Sequence, residues 1–313
     1  MKSIRLKFLI FFFTVCDINI YSQESKSDST EFFKENLKKL IAINSATPNL
    51  INLSGKEAII LSTGATANQI IEITAPYITS TVTNAKTVCF DLLSEALFKK
   101  TKGQIQRQQI TEILCKNFLN IDSEIQIVDN VLLQLSEKDF TPNAKNYISA
   151  LIIPNPKTSY SICAKLLAVA QVREAIPILW KSVDTNLQRM TPTDVDILSA
   201  LARLNETRAS FTLCNYYNKQ KNRTDYRYIF LSNKLAFSLD SLVLACLICD
   251  FKTLDVEKAF RDSDAFFYPS GYLATNIVAM LGNYPYSQER FDVDAKHLLK
   301  WLTDSERLQL RDK

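Results

Sequence analysis

Residues 167–179, Leu-Ala-Val-Ala-Gln-Val-Arg-Glu-Ala-Ile-Pro-Ile-Leu, return in outline as residues 201–213, Leu-Ala-Arg-Leu-Asn-Glu-Thr-Arg-Ala-Ser-Phe-Thr-Leu, at an offset of 34. Leu167-Ala168, Leu201-Ala202 and Leu235-Ala236 share one register, and Ala175/Leu179, Ala209/Leu213 and Val243/Leu247 share the next. Apolar residues at helical spacing on both sides of a short turn predict two short amphipathic helices per unit. A helix pair of this size cannot bury its own apolar face, so neighbouring pairs must stack. The expected fold is therefore all-α, a right-handed superhelix of helix pairs.

Working outward, Ala164–Ala170 and Arg173–Val183 form the first expected pair, joined by a turn at Gln171-Val172, with Pro177 near the start of the second helix where a missing amide costs little. Asp194–Leu204 and Thr207–Asn218 form the next, around Asn205-Glu206, and Tyr228–Leu239 with Asp240–Phe251 forms a third that lacks the polar turn. On segments 167–179 and 201–213 the chain resembles the HEAT-repeat family over residues 160–250. The resemblance implies a solenoid that presents a surface to another macromolecule. Val243 replaces the Ala of the register, and an offset of 34 is short for that family. Tetratricopeptide units share the period, but their Trp, Gly and Tyr signature positions are absent.

The remaining segments extend the helical reading. Helices are expected at about 30–44, 67–74, 82–101, 104–118, 122–136 and 142–152, and beyond the repeats at 255–264, 271–281 and 292–302. Ser54-Gly55-Lys56-Glu57 has capping-box spacing, and Lys102-Gly103 and Asn120-Ile121-Asp122-Ser123 are clear breaks. Pro154-Asn155-Pro156 separates an N-terminal helical region, 30–156, from a regular region, 157–313, whose last helices would cap the stack. Only five Gly occur in 313 residues, which counts against β-hairpin folds and against Gly-rich phosphate loops.

Residues 1–23 read as an export signal: Lys2, Arg5 and Lys7 precede a short apolar run, Phe8–Val15, and Ser22 suits cleavage. The run is too short to span a bilayer, which takes about 20 residues. Residues 24–29 form a polar leader. Cys16 would permit lipidation, and with it membrane contact, although Phe13-Thr14-Val15 lacks the small residue expected before a lipidated cysteine. The expected location is the periplasm or cell envelope, with secretion as a variant. Without residues 1–23 the formal charge falls from +4 to +2, and so balanced a chain gives no reason to expect nucleic acid as a partner. Six cysteines would remain, each in an apolar helical context, and are expected as buried thiols with at most one bridge.

Few residues suit catalysis. The single His297 sits i+3 from Asp294 on a terminal helix, with no nucleophile motif beside it, and reads as a surface residue. Cys246-Leu247-Ile248-Cys249 matches CxxC but lies in the apolar run Leu242–Ile248 and has no second pair, so it reads as core packing and neither a redox nor a zinc motif. Asp194/Asp196, Asp262/Asp264 and Asp292/Asp294 are spaced i, i+2, which puts each pair on different helix faces; Asp194 and Asp262 look like helix-start or turn residues. No cofactor or metal is expected.

Residues 215–227 interleave Tyr216, Tyr217 and Tyr226 with Lys219, Lys221, Arg223 and Arg227. Tyr and Arg dominate binding hot spots, and these seven residues are the candidate binding set. The same composition suits a solvated connection whose Tyr rings close helix ends. Phe266-Phe267-Tyr268-Pro269 and Tyr284-Pro285-Tyr286 would extend such a surface. The functional expectation is a non-catalytic scaffold that binds another protein. The alternatives are an α/α-type enzyme using paired carboxylates on a polymer, and a lipid-anchored structural protein.

Overall fold

The 34-residue offset is written in the backbone. Gln171, Asn205 and Leu239 adopt φ of 55°, 69° and 44°, and among the described residues no other non-glycine residue is left-handed. That conformation costs an L-residue about 1–2 kcal/mol, and here it ends a helix at the same place in each unit. At the first two turns the amides close Schellman motifs. Val172 N donates to Leu167 O at 2.9 Å and Gln171 N to Ala168 O at 3.1 Å; Glu206 N donates to Leu201 O at 3.0 Å and Asn205 N to Ala202 O at 2.9 Å. At the third, Leu239 N donates to Ala236 O at 3.3 Å, and the Asp240 carboxylate then caps the next helix by accepting from Leu242 N and Val243 N.

The computed structural model describes residues 34–36, 39, 62, 64–79, 83–118, 131–152, 160–220, 227–257, 260–262, 265–285, 294–304 and 308–311. The signal and leader, the Ser54–Glu57 cap, the break at 120–123 and Pro154-Asn155-Pro156 lie outside these residues, as does most of the helix expected at 122–136. The chain divides into two compact units, Met1–Lys102 and Gly103–Lys313. The division falls at the Lys102-Gly103 break and not at Pro154–Pro156.

In the first unit, α1 (Ala67–Thr74) starts at a Thr66/Gln69 capping box and packs against α2 (Thr83–Glu95), which runs on as a π-helical turn, Ala96–Lys100. Lys100 donates from that turn to Ser62 O at 2.5 Å and Ala65 O at 3.1 Å, tying the loop ahead of α1 to the end of α2.

Among the described residues the second unit is helical apart from one antiparallel strand pair and an isolated bridge. Helix α3 (Gln104–Phe118) is followed by a 3-10 turn, Glu137–Asp139, and by α4 (Pro142–Ile152). Asp139 is buried and receives Arg107 in two-point contact, Nε to Oδ1 at 2.8 Å and Nη2 to Oδ2 at 3.0 Å. The helix pairs follow: α5 (Tyr160–Val169) with a 3-10 turn, Arg173–Ala175, and α6 (Ile176–Ser182); α7 (Pro192–Arg203) with α8 (Thr207–Gln220); and α9 (Arg227–Ala236) with α10 (Ser241–Phe251). Helix α5 packs on α7 and α7 on α9, while α8 packs on α10. The register residues are buried: Leu167, Leu201, Leu235, Ala168, Ala202, Ala236, Ala175, Ala209, Val243, Leu179, Leu213 and Leu247 are all at most 2 % exposed.

The helix expected at 255–264 is not formed. Antiparallel strands β1 (Phe260–Asp262) and β2 (Ala265–Phe267) stand there, with Phe260 opposite Phe267 and Asp262 opposite Ala265. Phenylalanine suits a pleated strand, and the polar run at 262–264 interrupts any apolar helical stripe. Asp262 thus ends a strand and starts no helix. Helix α11 (Pro269–Met280) packs on α9 and α10, and α12 (Ala295–Asp304) packs on α11. Residues 309–311 pair back along 280–282: Gly282 N donates to Gln309 O and Arg311 N to Met280 O, each at 2.8 Å.

Candidate interaction surface

Lys165, Asp196 and Arg203 of the repeats are held inside. Asp196 on α7 receives Lys165 of α5 at 2.8 Å, Lys234 of α9 at 2.5 Å and the Ser161 hydroxyl at 2.6 Å. The Lys165 and Asp196 side chains are 1 % and 4 % exposed. Burial alone would raise the Asp196 carboxyl, but the two lysines outweigh it and hold the group below the ordinary carboxylate range. Arg203, at the end of α7, is also fully buried. It donates to Leu135 O at 2.5 Å and to Leu132 O and Phe237 O at 3.4 Å, and its guanidinium lies 4.8 Å from the Phe237 ring centroid. Its charge meets carbonyls at helix ends, where the helix dipole is negative. Burial lowers its affinity for the proton, and Arg311 nearby acts in the same direction. An arginine nonetheless stays charged in proteins, so the contacts act as a three-way tie.

The acids are used structurally. Asp194 closes the capping box of α7, accepting from Thr191 N at 2.8 Å and the Thr191 hydroxyl at 2.6 Å, and its other oxygen accepts from Asp184 N at 2.9 Å. Asp194 and Asp196 serve different partners, as their i, i+2 spacing implies. His297 is 61 % exposed and its Nδ1 lies 3.5 Å from the Asp294 carboxylate, the i+3 surface pair read from the sequence.

The 215–227 set divides. Tyr216, Tyr217 and Lys219 belong to the last turns of α8, and Arg227 begins α9. Tyr217 continues the buried register of Ala209 and Leu213; it is 0 % exposed and its hydroxyl donates to Asp250 Oδ2 at 2.6 Å. It is a core residue, which corrects its assignment to the binding set. Tyr216 is half-buried and Lys219 exposed. Lys221, Arg223 and Tyr226 lie outside the described residues.

Opposite the buried register of α8 runs an exposed one: Arg208, Phe211, Asn215 and Lys219, spaced to share a face. Phe211 is 55 % exposed. Arg208 stacks on Trp180 of α6, 4.9 Å from its ring centroid, and the Trp180 indole donates to Glu206 Oε2 at 3.0 Å. The Trp180 ring and the Arg208 guanidinium thereby hold one another in place between α6 and α8. The seven-residue set omitted Trp180, Arg208 and Phe211. The available signal was Phe211, an aromatic residue out of phase with Ala209, Leu213 and Tyr217.

The six described cysteines are free thiols. Cys89, Cys115, Cys163 and Cys214 are buried, Cys246 is half-buried and Cys249 exposed. Burial pushes Cys89 up to about 12 and Cys163 to about 11, which keeps both protonated and unreactive at neutral pH. The core-packing expectation for CxxC is corrected at its second cysteine: Leu247 and Ile248 turn inward, and Cys249 turns out.

No family model, curated protein or solved structure matches this chain. Among the described residues no group of three or more His, Cys, Asp or Glu is placed to hold a metal ion, and no helix is long and apolar enough to cross a membrane.

Proposed function

We propose that this chain is a non-catalytic helical-repeat scaffold, a solenoid of HEAT-like pairs that docks another protein on the face formed by α6 and α8. One observation carries the reading: Phe211 stands exposed one helical turn from Arg208, which stacks on Trp180. Trp and Arg lead the residue types that anchor interfaces, and an aromatic–cation pair already ordered in the unbound chain reduces the entropy lost on docking. Tyr216 and Lys219, on the same helix, extend the face. The basic and apolar start of the sequence supports export to the periplasm or cell envelope, where the partner would be met.

The test is a cross-linking pull-down from a native envelope fraction with the wild-type chain, Phe211→Ala, Arg208→Ala and Lys219→Ala. Phe211→Ala is expected to reduce capture about tenfold or more, the loss of roughly 1.4 kcal/mol or above that marks an anchor, with an unchanged circular dichroism spectrum. Capture unchanged in both Phe211→Ala and Arg208→Ala refutes the reading. Mass spectrometry of the mature N-terminus checks the export reading separately.

A further inference from the structure

Where α8 packs on α10, Cys214 and Cys246 both lie at the contact and a third cysteine lies within one turn. Cys214 Sγ donates to Leu242 O at 3.7 Å, and Leu242 is one turn ahead of Cys246 on α10. Asn218, one turn beyond Cys214 on α8, donates from Nδ2 to Cys246 Sγ at 3.8 Å. Cys214 and Asn218 thus lie along the same stretch of α10 that carries Leu242 and Cys246. Three residues on, Cys249 shares the Cys246 side of the helix and is exposed. Burial therefore grades outward from Cys214 through Cys246 to Cys249.

We infer that Cys214 and Cys246 form an inter-helix disulfide under oxidising conditions, with Cys249 as the thiol that meets the oxidant first. The oxidant is a small-molecule disulfide, R–S–S–R. The Cys249 thiolate attacks one oxidant sulfur, the oxidant's S–S bond breaks, and R–S⁻ leaves and takes up the proton Cys249 gave up. The Cys246 thiolate then attacks Cys249 Sγ and expels the second R–S⁻, which is protonated in turn. Finally Cys214 attacks Cys246 Sγ, the Cys246–Cys249 bond breaks, and Cys249 returns as a thiol. Two thiols of the chain are oxidised by two electrons in all, and the oxidant leaves as two R–SH. Two reasons direct the last step. Cys249 is the solvated leaving group, and an i, i+3 bridge must fit within one turn of a helix that keeps its own geometry, whereas Cys214 and Cys246 stand on two helices packed together at these residues. Cys214 is the buried thiol of the three and reacts only once Cys246 carries the disulfide beside it, passing its proton to the departing Cys249 sulfur, so it joins last. This inference stands apart from the docking reading and survives its failure.

The experiment uses the full chain, reduced and then incubated with oxidised glutathione, followed by alkylation of remaining thiols and peptide mapping without reductant. A linked pair of peptides containing Cys214 and Cys246, with Cys249 alkylated and the intact mass lower by about 2 Da, is the expected result. Two outcomes overturn the inference: a stable Cys246–Cys249 link with Cys214 alkylated, or no link at either cysteine. Cys249→Ser, an exposed substitution, is expected to give the same bridge several-fold more slowly. An unchanged rate removes Cys249 from the route. Because the wild-type map decides the pairing, a Cys214→Ser variant that fails to fold leaves the conclusion intact.

Discussion

Asp196→Asn is the sharpest perturbation of the repeat core. The carboxylate joins α5, α7 and α9 through Lys165 at 2.8 Å and Lys234 at 2.5 Å. Lys165 is 1 % exposed, so its ammonium cannot turn to water when the carboxylate is neutralised, whereas Lys234 at 19 % can. Removing one partner of a buried pair costs about 3–5 kcal/mol, chiefly through the charge left behind. With a urea slope of about 2–3 kcal/mol/M the midpoint falls by roughly 1–2.5 M, read by circular dichroism and tryptophan fluorescence. Replacing the whole triad, as Lys165→Met, Asp196→Leu and Lys234→Met, is expected to fall within about 1–2 kcal/mol of wild type, because no charge is stranded. The pH dependence carries the same logic. The folded carboxyl is held below its unfolded value of about 3.9, so the stabilisation is complete above about pH 5 and disappears as the pH falls through the folded value. Asp196→Asn is therefore expected to flatten the acid limb of the stability curve. A loss under about 1 kcal/mol in Asp196→Asn, or an equal loss in the triple variant, refutes the reasoning.

Asn205→Gly relieves a left-handed residue at φ 69° and is expected to stabilise by up to about 1 kcal/mol, seen as a higher urea midpoint; a lower midpoint counts against the strain argument. Tyr217→Phe removes a buried hydroxyl 2.6 Å from Asp250 Oδ2 and is expected to cost about 1–3 kcal/mol while leaving partner capture unchanged. Weakened capture by a stable Tyr217→Phe variant would return that residue to the binding set. Gly282→Ala brings a Cβ to 3.0 Å from Leu310 O and is expected to cost about 1–3 kcal/mol, with faster hydrogen exchange at the Arg311 amide; unchanged exchange would show that the pairing of 280–282 with 309–311 tolerates the methyl group.

Much of the helical fold was legible because it is local. Expected helices at 67–74, 104–118 and 142–152 coincide with Ala67–Thr74, Gln104–Phe118 and Pro142–Ile152, where caps and periodicity lie within a few residues of each other. The hairpin at 260–267 was not legible, since aromatic residues fit a helical stripe and a strand alike and the choice depends on what they pack against. The turn at Leu239 was hidden for a similar reason. A leucine carries no turn signature, yet packing at 0 % exposure holds it left-handed beside the buried Leu235 and Ala236.

The sequence by itself determined the all-α class, the 34-residue repeat and the buried registers at Leu167, Leu201 and Leu235, because periodicity reports which side of a helix is apolar whatever it packs against. Only the tertiary structure decided what each polar residue faces. It sent Tyr217 to the core and Phe211 to the surface within one helix, enclosed Lys165, Asp196 and Arg203, and brought Cys214 and Asn218 onto the stretch of α10 that carries Leu242 and Cys246. Those outcomes rest on contacts between helices, and such contacts depend on distances that spacing along a single chain does not encode.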